Sequence, residues 1–295
     1  MDRKYLWFIT PKTNLHVGDE NVTNFGLVDK MVQRDVLTTL PCIHSSSLKG
    51  ALSEFVSVKL GKSEEVPPDK SSLNIVKSIF GSDNLKPEDS QKGTHTFFDA
   101  HLLFLPVPSS RDLFYMATCP SVLKGFVQEM EMMNCPVGSI DELRQLTELP
   151  PTSGKPYVFL QAEPEHLKLA GQSVFSWNEE KLGESRKKAV LFLKSSVGKD
   201  IAILSDEDFV ELCNDENLPI IARNKLEKGE SKNLWYEQVV PRETVFYTFI
   251  LEKGEVSLKE QLLKGNESQV ADRIQIGANA TIGYGYCNFK LVASK

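Results

Sequence analysis

The sequence predicts an α+β fold with a ferredoxin-like core and large insertions. Three observations support it. Strand-like and helix-like segments follow one another in the order β, α, β, β, α, and a returning strand closes the chain after a long elaboration. Apolar residues recur with helical spacing over residues 47–60. Residues 220–240 form two extended arms around a charged, glycine-containing turn, which predicts a projecting β-hairpin.

The first elements are a strand, a long loop and a helix. Large apolar residues over 5–9 predict the strand, and residues 14–44 form the loop. The helix is predicted over residues 47–60, where Leu48 and Leu52 belong to its apolar face. We expect the serines at 45–47 to cap this helix, and Gly61 to end it.

The remaining elements alternate with two insertions. The first insertion, 61–94, is rich in Ser, Lys, Asp and Pro, which predicts a mobile surface segment. The second, 134–219, contains short apolar runs between charged helical pieces. The predicted elements outside these insertions are strands 97–107, 113–118 and 244–251, helices 121–133 (capped by Ser121) and 257–263, and a last strand after residue 285.

The composition is that of a soluble globular protein. The chain has 295 residues, of which 41% are hydrophobic and 25% charged, and its net charge is −6. Its apolar runs are too short to cross a membrane, and its first residues lack a signal-peptide pattern. Five scattered cysteines without metal-site spacing indicate reduced thiols, so we expect a cytoplasmic protein. The negative charge means that any phosphate binding must come from a local patch.

Two segments have the chemistry of anion-binding sites. Lys49 lies in the first helical turn, where its ammonium, the serine hydroxyls and uncapped amides could converge on a phosphate. The alternative is a serine cap beside a solvated lysine. Near the C-terminus, Gly277, Gly283 and Gly285 allow close backbone approach to a ligand, or simply a tight connection.

The acidic run 206–208 suggests a metal site, but a favourable first helical turn after Ser205 explains it better.

Six stretches together resemble a known family. In chain order they read LHVGDENVTNFGLVDKMVQRD, SSLKGAL, FGS, FFDAHLLFLPVPSSRDLFYMATCPSVL, IARNKLEKGESKNLWYEQVVPRETVFY and IQIGANATIGYG. They resemble the RAMP superfamily of CRISPR proteins, and most closely the backbone subunit of the type III-B (Cmr) RNA-guided effector. The resemblance covers nearly the whole chain except residues 61–92 and 134–218. SSLKG occurs in many RAMP proteins, whereas the NLWYEQVVP block narrows the match to this subunit.

The resemblance implies a single RAMP domain over 1–295 with a ferredoxin-like (RRM-like) palm. It also implies a catalytic loop over 14–44 and a thumb hairpin over 220–240. Copies of such a subunit stack with other Cmr subunits along a guide RNA, and each thumb displaces one nucleotide of the guide–target duplex. Target RNA is then cut at regular intervals with a divalent metal such as Mg²⁺ or Mn²⁺. Asp29 matches the catalytic, metal-binding aspartate.

Further candidate site residues join Asp29, some through the resemblance and some through their charge or aromatic character. For Arg34, Arg223 and Lys225 the alternative is a solvated surface position. His16 and Glu237 are possible helpers of Asp29, with loop packing and a solvated strand position as their alternatives. The residues expected to contact RNA are Arg34, Ser46, Ser47, Lys49, Arg223, Lys225, Trp235, Tyr236, Gly277, Gly283 and Gly285. Trp235 and Tyr236 alternate along a strand, so one is expected to face the core and the other to be available for stacking on a base.

Two departures from the family pattern affect individual guide contacts. His44 and Ser45 replace the usual Pro-Gly before the serines, and Ala278 and Tyr284 alter the final glycine loop. The Gly26-x-x-Asp29 pattern of the catalytic loop is intact. Two other functions stay open: a purely structural guide-RNA-binding subunit, and a standalone metal-independent endoribonuclease that processes guide RNA.

Overall fold

The computed structural model describes residues 2–18, 28–61, 70–82, 90–135, 140–148, 150–160, 167–178, 182–263 and 269–294. The helices in these ranges are α1 (Ser45–Lys59), α2 (Lys70–Phe80), α3 (Pro120–Met132), α4 (Ile140–Thr147), α5 (Glu184–Val197), α6 (Asp206–Cys213) and α7 (Leu258–Leu263). The strands are β1 (Arg3–Pro11), β2 (Cys42–Ile43), β3 (Gly81–Ser82), β4 (Gln91–Lys92), β5 (His95–Phe97), β6 (Ala100–Pro108), β7 (Phe114–Thr118), β8 (Tyr157–Leu160), β9 (Lys168–Leu169), β10 (Gln172–Ser173), β11 (Phe175–Asn178), β12 (Ile201–Ile203), β13 (Ile220–Glu227), β14 (Glu230–Gln238), β15 (Val245–Glu252), β16 (Val270–Gln275) and β17 (Tyr286–Ser294).

One large mixed sheet organises the molecule. Its strand order is β11-β8-β12-β7-β6-β15-β1-β17-β16, and β2 and β5 pair with β6 and β15. The strands around β1 pair in antiparallel fashion, whereas β12 pairs with β7, and β11 with β8, in parallel. The structure therefore confirms that the fold contains both helices and strands and is organised by a large mixed sheet.

Strand β1 lies inside this sheet and is covered on both faces. Trp7 and Phe8, which are consecutive and therefore point to opposite faces, are each only 1% exposed. Phe8 packs against Phe126 of α3, with ring centroids 5.9 Å apart. Phe126 in turn meets Tyr247 of β15 edge-on at 4.7 Å, so α3 is fixed over the centre of the sheet.

The serine cap predicted for α1 is wrong. The N-cap residue is His44, it makes no side-chain cap, and the three serines occupy the first turn. The carboxylate of Asp99 accepts a hydrogen bond from the Ser45 amide (2.7 Å) and so serves as a cap supplied by another segment. Asp99 lies in the short break that divides the predicted strand 97–107 into β5 and β6.

The cap predicted at Ser121 is also displaced. Helix α3 has Cys119 as its N-cap and Pro120 at its first position, where the missing amide hydrogen has no cost. The Ser121 hydroxyl instead donates to Asp206 (2.5 Å) at the start of α6. The acidic first turn of α6 is confirmed as structural, since Ser205 accepts a hydrogen bond from the Asp208 amide (3.1 Å).

The two predicted insertions contain regular structure. Between 61 and 94, the described residues form α2 and the β3–β4 pair, while 62–69 and 83–89 lie outside the described residues, so the predicted mobility stays a prediction. Between 134 and 219, strands β8, β11 and β12 extend the sheet beyond β7. The second insertion is thus built onto the sheet through β12, whose apolar residues are fully buried.

The predicted hairpin is present as β13 and β14, and we call it the thumb. The two strands pair in antiparallel fashion, with Arg223 opposite Trp235. Lys228 and Gly229 form the turn with φ values of 53° and 86°, as a two-residue hairpin turn of the primed type requires.

Among the described helices, none has the length and apolarity needed to cross a membrane.

Candidate functional site

Asp29 is fixed against the base of the thumb. The amides of Asp29 and Lys30 donate to the Tyr236 carbonyl at 3.0 and 3.2 Å, and the Gln238 amide donates to the Lys30 carbonyl at 2.9 Å. The Tyr236 amide donates back to Asp29 Oδ2 at 2.6 Å. Asp29 is nevertheless exposed. Three of these hydrogen bonds hold the backbone of residues 29–30, and the fourth holds the accessible carboxylate itself. Its motif partner Gly26 lies outside the described residues.

Glu237 is a buried carboxylate at the centre of the thumb base. Its Oε2 accepts hydrogen bonds from Arg223 Nη1 (3.0 Å) and Asn279 Nδ2 (2.9 Å). Its Oε1 faces Lys30 Nζ at 3.8 Å and His16 Nε2 at 3.7 Å. The alternative of a solvated strand position is wrong, since Glu237 is 0% exposed. Glu237 thus connects the thumb, the 14–44 loop and the glycine loop.

His16 lies beside Glu237 and is also buried. Its Nδ1 lies 2.7 Å from the Gln238 carbonyl, and a carbonyl only accepts, so Nδ1 carries the hydrogen. Nε2 is thereby directed to Glu237 Oε1, which has no hydrogen-bond partner among the described residues. His16 and Glu237 therefore form a buried pair, and Glu237 follows Tyr236, whose amide holds Asp29. Their role as helpers of Asp29 stays a prediction, and the packing role of His16 is visible in its contact with Gln238.

The two thumb aromatics differ from the expected core-and-surface alternation. Trp235 is half-buried outside the core, and two cations lie over its ring, Lys30 Nζ at 5.7 Å and Arg223 Cζ at 5.6 Å from the centroid. Such cation–π contacts orient both cations. Tyr236 is 41% exposed, which leaves its ring available for stacking.

Arg34 is placed where a phosphate contact is unfavourable. Its Nη1 donates to the carbonyls of Thr39 (2.7 Å) and Cys213 (2.8 Å), and its Nη2 lies 2.7 Å from Asp215 Oδ1. An RNA phosphate would have to displace these contacts, so the structure argues against the predicted role of Arg34. Lys225, by contrast, is exposed and pairs only at the surface, with Glu227 at 3.1 Å.

Only two of the three residues predicted to bind phosphate at the start of α1 face the same depression. Ser46 and Lys49 are exposed and line a depression of about 570 Å³, which Lys92 of β4 also lines. Ser47 points elsewhere, since its hydroxyl accepts a hydrogen bond from Gln33 Nε2 at 3.0 Å. Ser46 and Lys49 are therefore placed for an anion, and Ser47 has a structural partner.

Two glycines of the final loop allow close backbone packing within the chain. Gly277 has a φ of 78°, and a Cβ there would overlap the carbonyl oxygen of His16. Gly285 has a φ of 75°, and a Cβ there would overlap the Ile276 carbonyl. Gly283 also has a positive φ (84°), but the space around it is open. The tight-connection alternative therefore explains Gly277 and Gly285.

We expect Gly277→Ala to destabilise the fold by roughly 2 kcal/mol or more, because the left-handed backbone and the overlap with His16 both disfavour a side chain. Gly283→Ala is the matched control, since it has the same backbone strain without the overlap. Denaturant unfolding of the three proteins measures the difference. Equal losses in both variants would show that the approach to His16 does not matter.

Two polar residues that the sequence motifs did not single out support this site. Lys30 and Asn279 contact Glu237, and their adjacency to Asp29 and to the glycine loop was the available signal.

Asp35, which lies before β2, is a structural acceptor for the Leu37 and Thr38 amides. Burial would raise the pKa of the Asp35 carboxyl, but these hydrogen bonds outweigh it and the pKa is lowered.

Residues 8–288 match the family model of the RAMP superfamily. The chain belongs to the RAMP superfamily. This confirms the family that the sequence motifs suggested, over a span that includes Asp29, the thumb and the glycine loop. It also covers both insertions, which the motif comparison had left out.

Known proteins similar to this RAMP chain include a Cmr endoribonuclease and a chain of a type III-B Cmr complex. It is 29% identical to the CRISPR system Cmr endoribonuclease Cmr4 of Pyrococcus furiosus, over 98% of the chain and 96% of that relative. Its fold resembles a chain of the type III-B Cmr-beta complex bound to cognate target RNA (TM-score 0.74, 18% identity, 98% and 96% coverage). It also resembles oligomeric Cmr4 from Pyrococcus furiosus (TM-score 0.63, 21% identity, 99% and 98% coverage). These two likenesses support the fold.

Proposed function

We propose that this protein is the backbone subunit of a type III-B CRISPR effector. In this role it binds guide RNA, assembles with further copies of itself and with other Cmr subunits, and cuts complementary target RNA at regular intervals. Membership of the RAMP superfamily supports the proposal, as does a full-length likeness to a Cmr endoribonuclease. A ferredoxin-like palm and a cytoplasmic location are part of it, and five buried free cysteines fit a reducing compartment.

One observation carries the assignment of cleavage to this chain. Asp29 is exposed, three backbone hydrogen bonds fix its segment at the base of the thumb, and a fourth hydrogen bond fixes its carboxylate. A displaced nucleotide of the target would pass this position if the thumb crosses the guide–target duplex. An ordered, accessible carboxylate at that point is what a general base or a metal ligand requires.

The chemistry needs few protein groups. RNA supplies its own nucleophile, the 2′-hydroxyl next to the scissile phosphate, once the nucleotide is splayed into line. As the 2′-oxygen bonds to phosphorus, the bond from phosphorus to the 5′-oxygen of the next nucleotide breaks, and that oxygen takes a proton from water. Asp29 accepts the proton of the attacking hydroxyl or holds a metal ion. Lys30, which follows Asp29 in the chain, holds its positive charge near Glu237 and over the Trp235 ring. Tyr236 presents an exposed ring on which a displaced base can stack.

A divalent metal fits this arrangement with Asp29 as a protein ligand. Tyr236 occupies one carboxylate oxygen and leaves the other for an ion. The described residues contain no group of three or more His, Cys, Asp or Glu that could hold a metal alone. Mg²⁺ commonly binds through one or two carboxylates, with water and substrate phosphate as its other ligands. When bound, such an ion would neutralise developing charge on the phosphate.

We expect cleavage by the assembled complex to stop when EDTA removes divalent metal, and to return with Mg²⁺ or Mn²⁺. Guide-RNA binding should change little, because exposed side chains such as Lys49 and Lys225 carry it. Gel analysis of labelled target, together with a filter-binding assay for the guide, measures both. Full activity in EDTA would contradict the metal role and favour a metal-independent processing enzyme.

The function itself is tested by reconstituting the chain with guide RNA and the other Cmr subunits. A guide-complementary RNA should be cut into products of regular spacing, and an RNA of unrelated sequence should remain intact. A complex that binds both RNAs but cuts neither would instead support the alternative that this chain is a purely structural guide-binding subunit. Cleavage of precursor guide RNA by the chain alone would instead support a standalone processing enzyme.

A further inference from the structure

Asn279 joins the glycine loop (residues 277–285) to the thumb base. Its Nδ2 donates to Glu237 Oε2 at 2.9 Å, and the two residues are 42 positions apart in the chain. The loop is expected to contact RNA through its glycines. A side chain that extends from this loop to the thumb base therefore connects two parts of the candidate site.

The backbone of Asn279 has the left-handed conformation, with a φ of 68° and a ψ of 28°. Glycine adopts this conformation without a steric cost, and asparagine is one of the few other residues that tolerate it. The Asn279 carbonyl accepts hydrogen bonds from the Ile282 amide (3.1 Å) and the Tyr284 amide (3.2 Å), so backbone contacts define the turn. Glycine would suit this backbone at least as well, so the contact of the carboxamide with Glu237 is what asparagine adds.

The orientation of Glu237 depends on few hydrogen bonds. Within the described residues its side chain accepts two, both at Oε2, from Arg223 Nη1 on the thumb and from Asn279 Nδ2 on the glycine loop. Oε1 has only the longer contacts with His16 Nε2 (3.7 Å) and Lys30 Nζ (3.8 Å). Because Glu237 is fully buried, a lost donor is costly to its carboxylate. Loss of the Asn279 amide would leave Oε2 with one donor and let the carboxylate turn towards its cationic neighbours.

Glu237 is tied to Asp29 through its neighbours in the fold. Tyr236, which precedes Glu237, donates its amide to Asp29 Oδ2 (2.6 Å). The Tyr236 carbonyl accepts from the amides of Asp29 and Lys30. Lys30 also pairs with Glu237 in a parallel β-bridge and directs its ammonium to Oε1. A shift of Glu237 would therefore reach both segments that hold the Asp29 carboxylate.

We propose that Asn279 is a positioning residue for target cleavage, and that it acts through Glu237 on the place of the Asp29 carboxylate. The glycine loop thereby has a second role besides its expected contact with RNA, since one of its side chains aligns Asp29. The effect on cleavage rests on the proposed function, whereas the ordering of residues 28–30 does not.

Two substitutions remove the hydrogen-bond donor in different ways. Asn279→Gly keeps the left-handed backbone and deletes the carboxamide, so the loop should remain folded. Asn279→Asp keeps the shape of the side chain and replaces the donor by a carboxylate that faces Glu237. We expect each variant to slow target cleavage by the assembled complex about tenfold or more at about pH 7.5, because Asp29 is no longer held in place.

Lowering the pH separates positioning from a general loss of structure. In Asn279→Asp two carboxyl groups face each other and share one proton as the pH falls, so the protonated group donates to its neighbour as the native amide does. The other charged or titratable groups that face this pair are Arg223, Lys30 and His16, and they are unchanged in the variant. Relative to the native chain at the same pH, cleavage by Asn279→Asp should recover at about pH 5.5, and cleavage by Asn279→Gly should not.

Hydrogen–deuterium exchange of the full-length chain tests the same coupling without RNA. At about pH 7.5 the amides of Asp29, Lys30 and Tyr236 should exchange about fivefold or more faster in both variants than in the native chain. At about pH 5.5 the ratio of Asn279→Asp to native should return to one, because the hydrogen bond to Glu237 is restored.

Asn134, which follows α3, provides the matched control. It has the same left-handed backbone (φ 50°) and is exposed. Asn134→Gly and Asn134→Asp should match the native chain in both assays. Native-like cleavage or exchange in Asn279→Gly, no recovery of Asn279→Asp in acid, or equal effects in the Asn134 variants would each overturn the proposal. If the native complex does not cut, the cleavage function fails instead, and the exchange rates alone decide the positioning.

Discussion

Replacing Asp29 by alanine is expected to reduce target cleavage by the assembled complex about 10²-fold or more, as is usual for removal of a positioned acid–base group. The loss follows from the exposed carboxylate alone, because the segment keeps its backbone hydrogen bonds to Tyr236 and Gln238. Guide binding and assembly should be unchanged. Time courses of a labelled complementary RNA, at equal concentrations of assembled complex, measure the effect.

Asp29→Asn separates chemistry from position. The amide oxygen of asparagine can still accept the hydrogen bond from the Tyr236 amide, so the loop should stay in place while the charge is lost. We expect Asp29→Asn to cleave as poorly as Asp29→Ala. Asp141→Asn, on the exposed face of α4, is the control and should be fully active. Unchanged cleavage in both Asp29 variants would move the nuclease to a partner subunit.

Periodicity and turn chemistry predicted the elements that depend on local sequence. The thumb is one example, because its arms alternate and its turn contains Gly229, so the hairpin follows from residues close in the chain. The acidic first turn of α6 after Ser205 is another. The family motifs also identified Asp29, and its place against the thumb is consistent with that assignment, although its role still rests on the experiments above.

Contacts between distant segments could not be predicted from the sequence. The serines before α1 have the pattern of a cap, yet Asp99 hydrogen-bonds the Ser45 amide across 54 residues of chain. An arginine such as Arg34 can bind phosphate, but here its guanidinium donates to the carbonyls of Thr39 and Cys213. In each case the partner lies on another element, and only the folded chain decides which polar group is satisfied internally.

The same reasoning makes Glu237 the most consequential buried group of the site. Its carboxylate holds Arg223, Asn279 and Lys30 together, and its removal would leave those donors without their acceptor. Breaking a buried ion pair typically costs about 3–5 kcal/mol, and we expect the lower end for Glu237→Ala, since Lys30 is half-exposed.

In Glu237→Ala we expect both stability and the cleavage rate to decrease. The cleavage rate decreases because Glu237 lies next to the Tyr236 amide and carbonyl that position Asp29. A double-mutant cycle with Glu237→Gln and Arg223→Met, followed by denaturant unfolding, isolates the pair from the general cost of a cavity. Glu230→Gln, whose partner Lys232 is at the surface, should change stability by less than about 0.5 kcal/mol. If Glu237→Gln and Arg223→Met were simply additive, the two side chains would act independently and the thumb base would owe its order to the backbone bonds around Asp29.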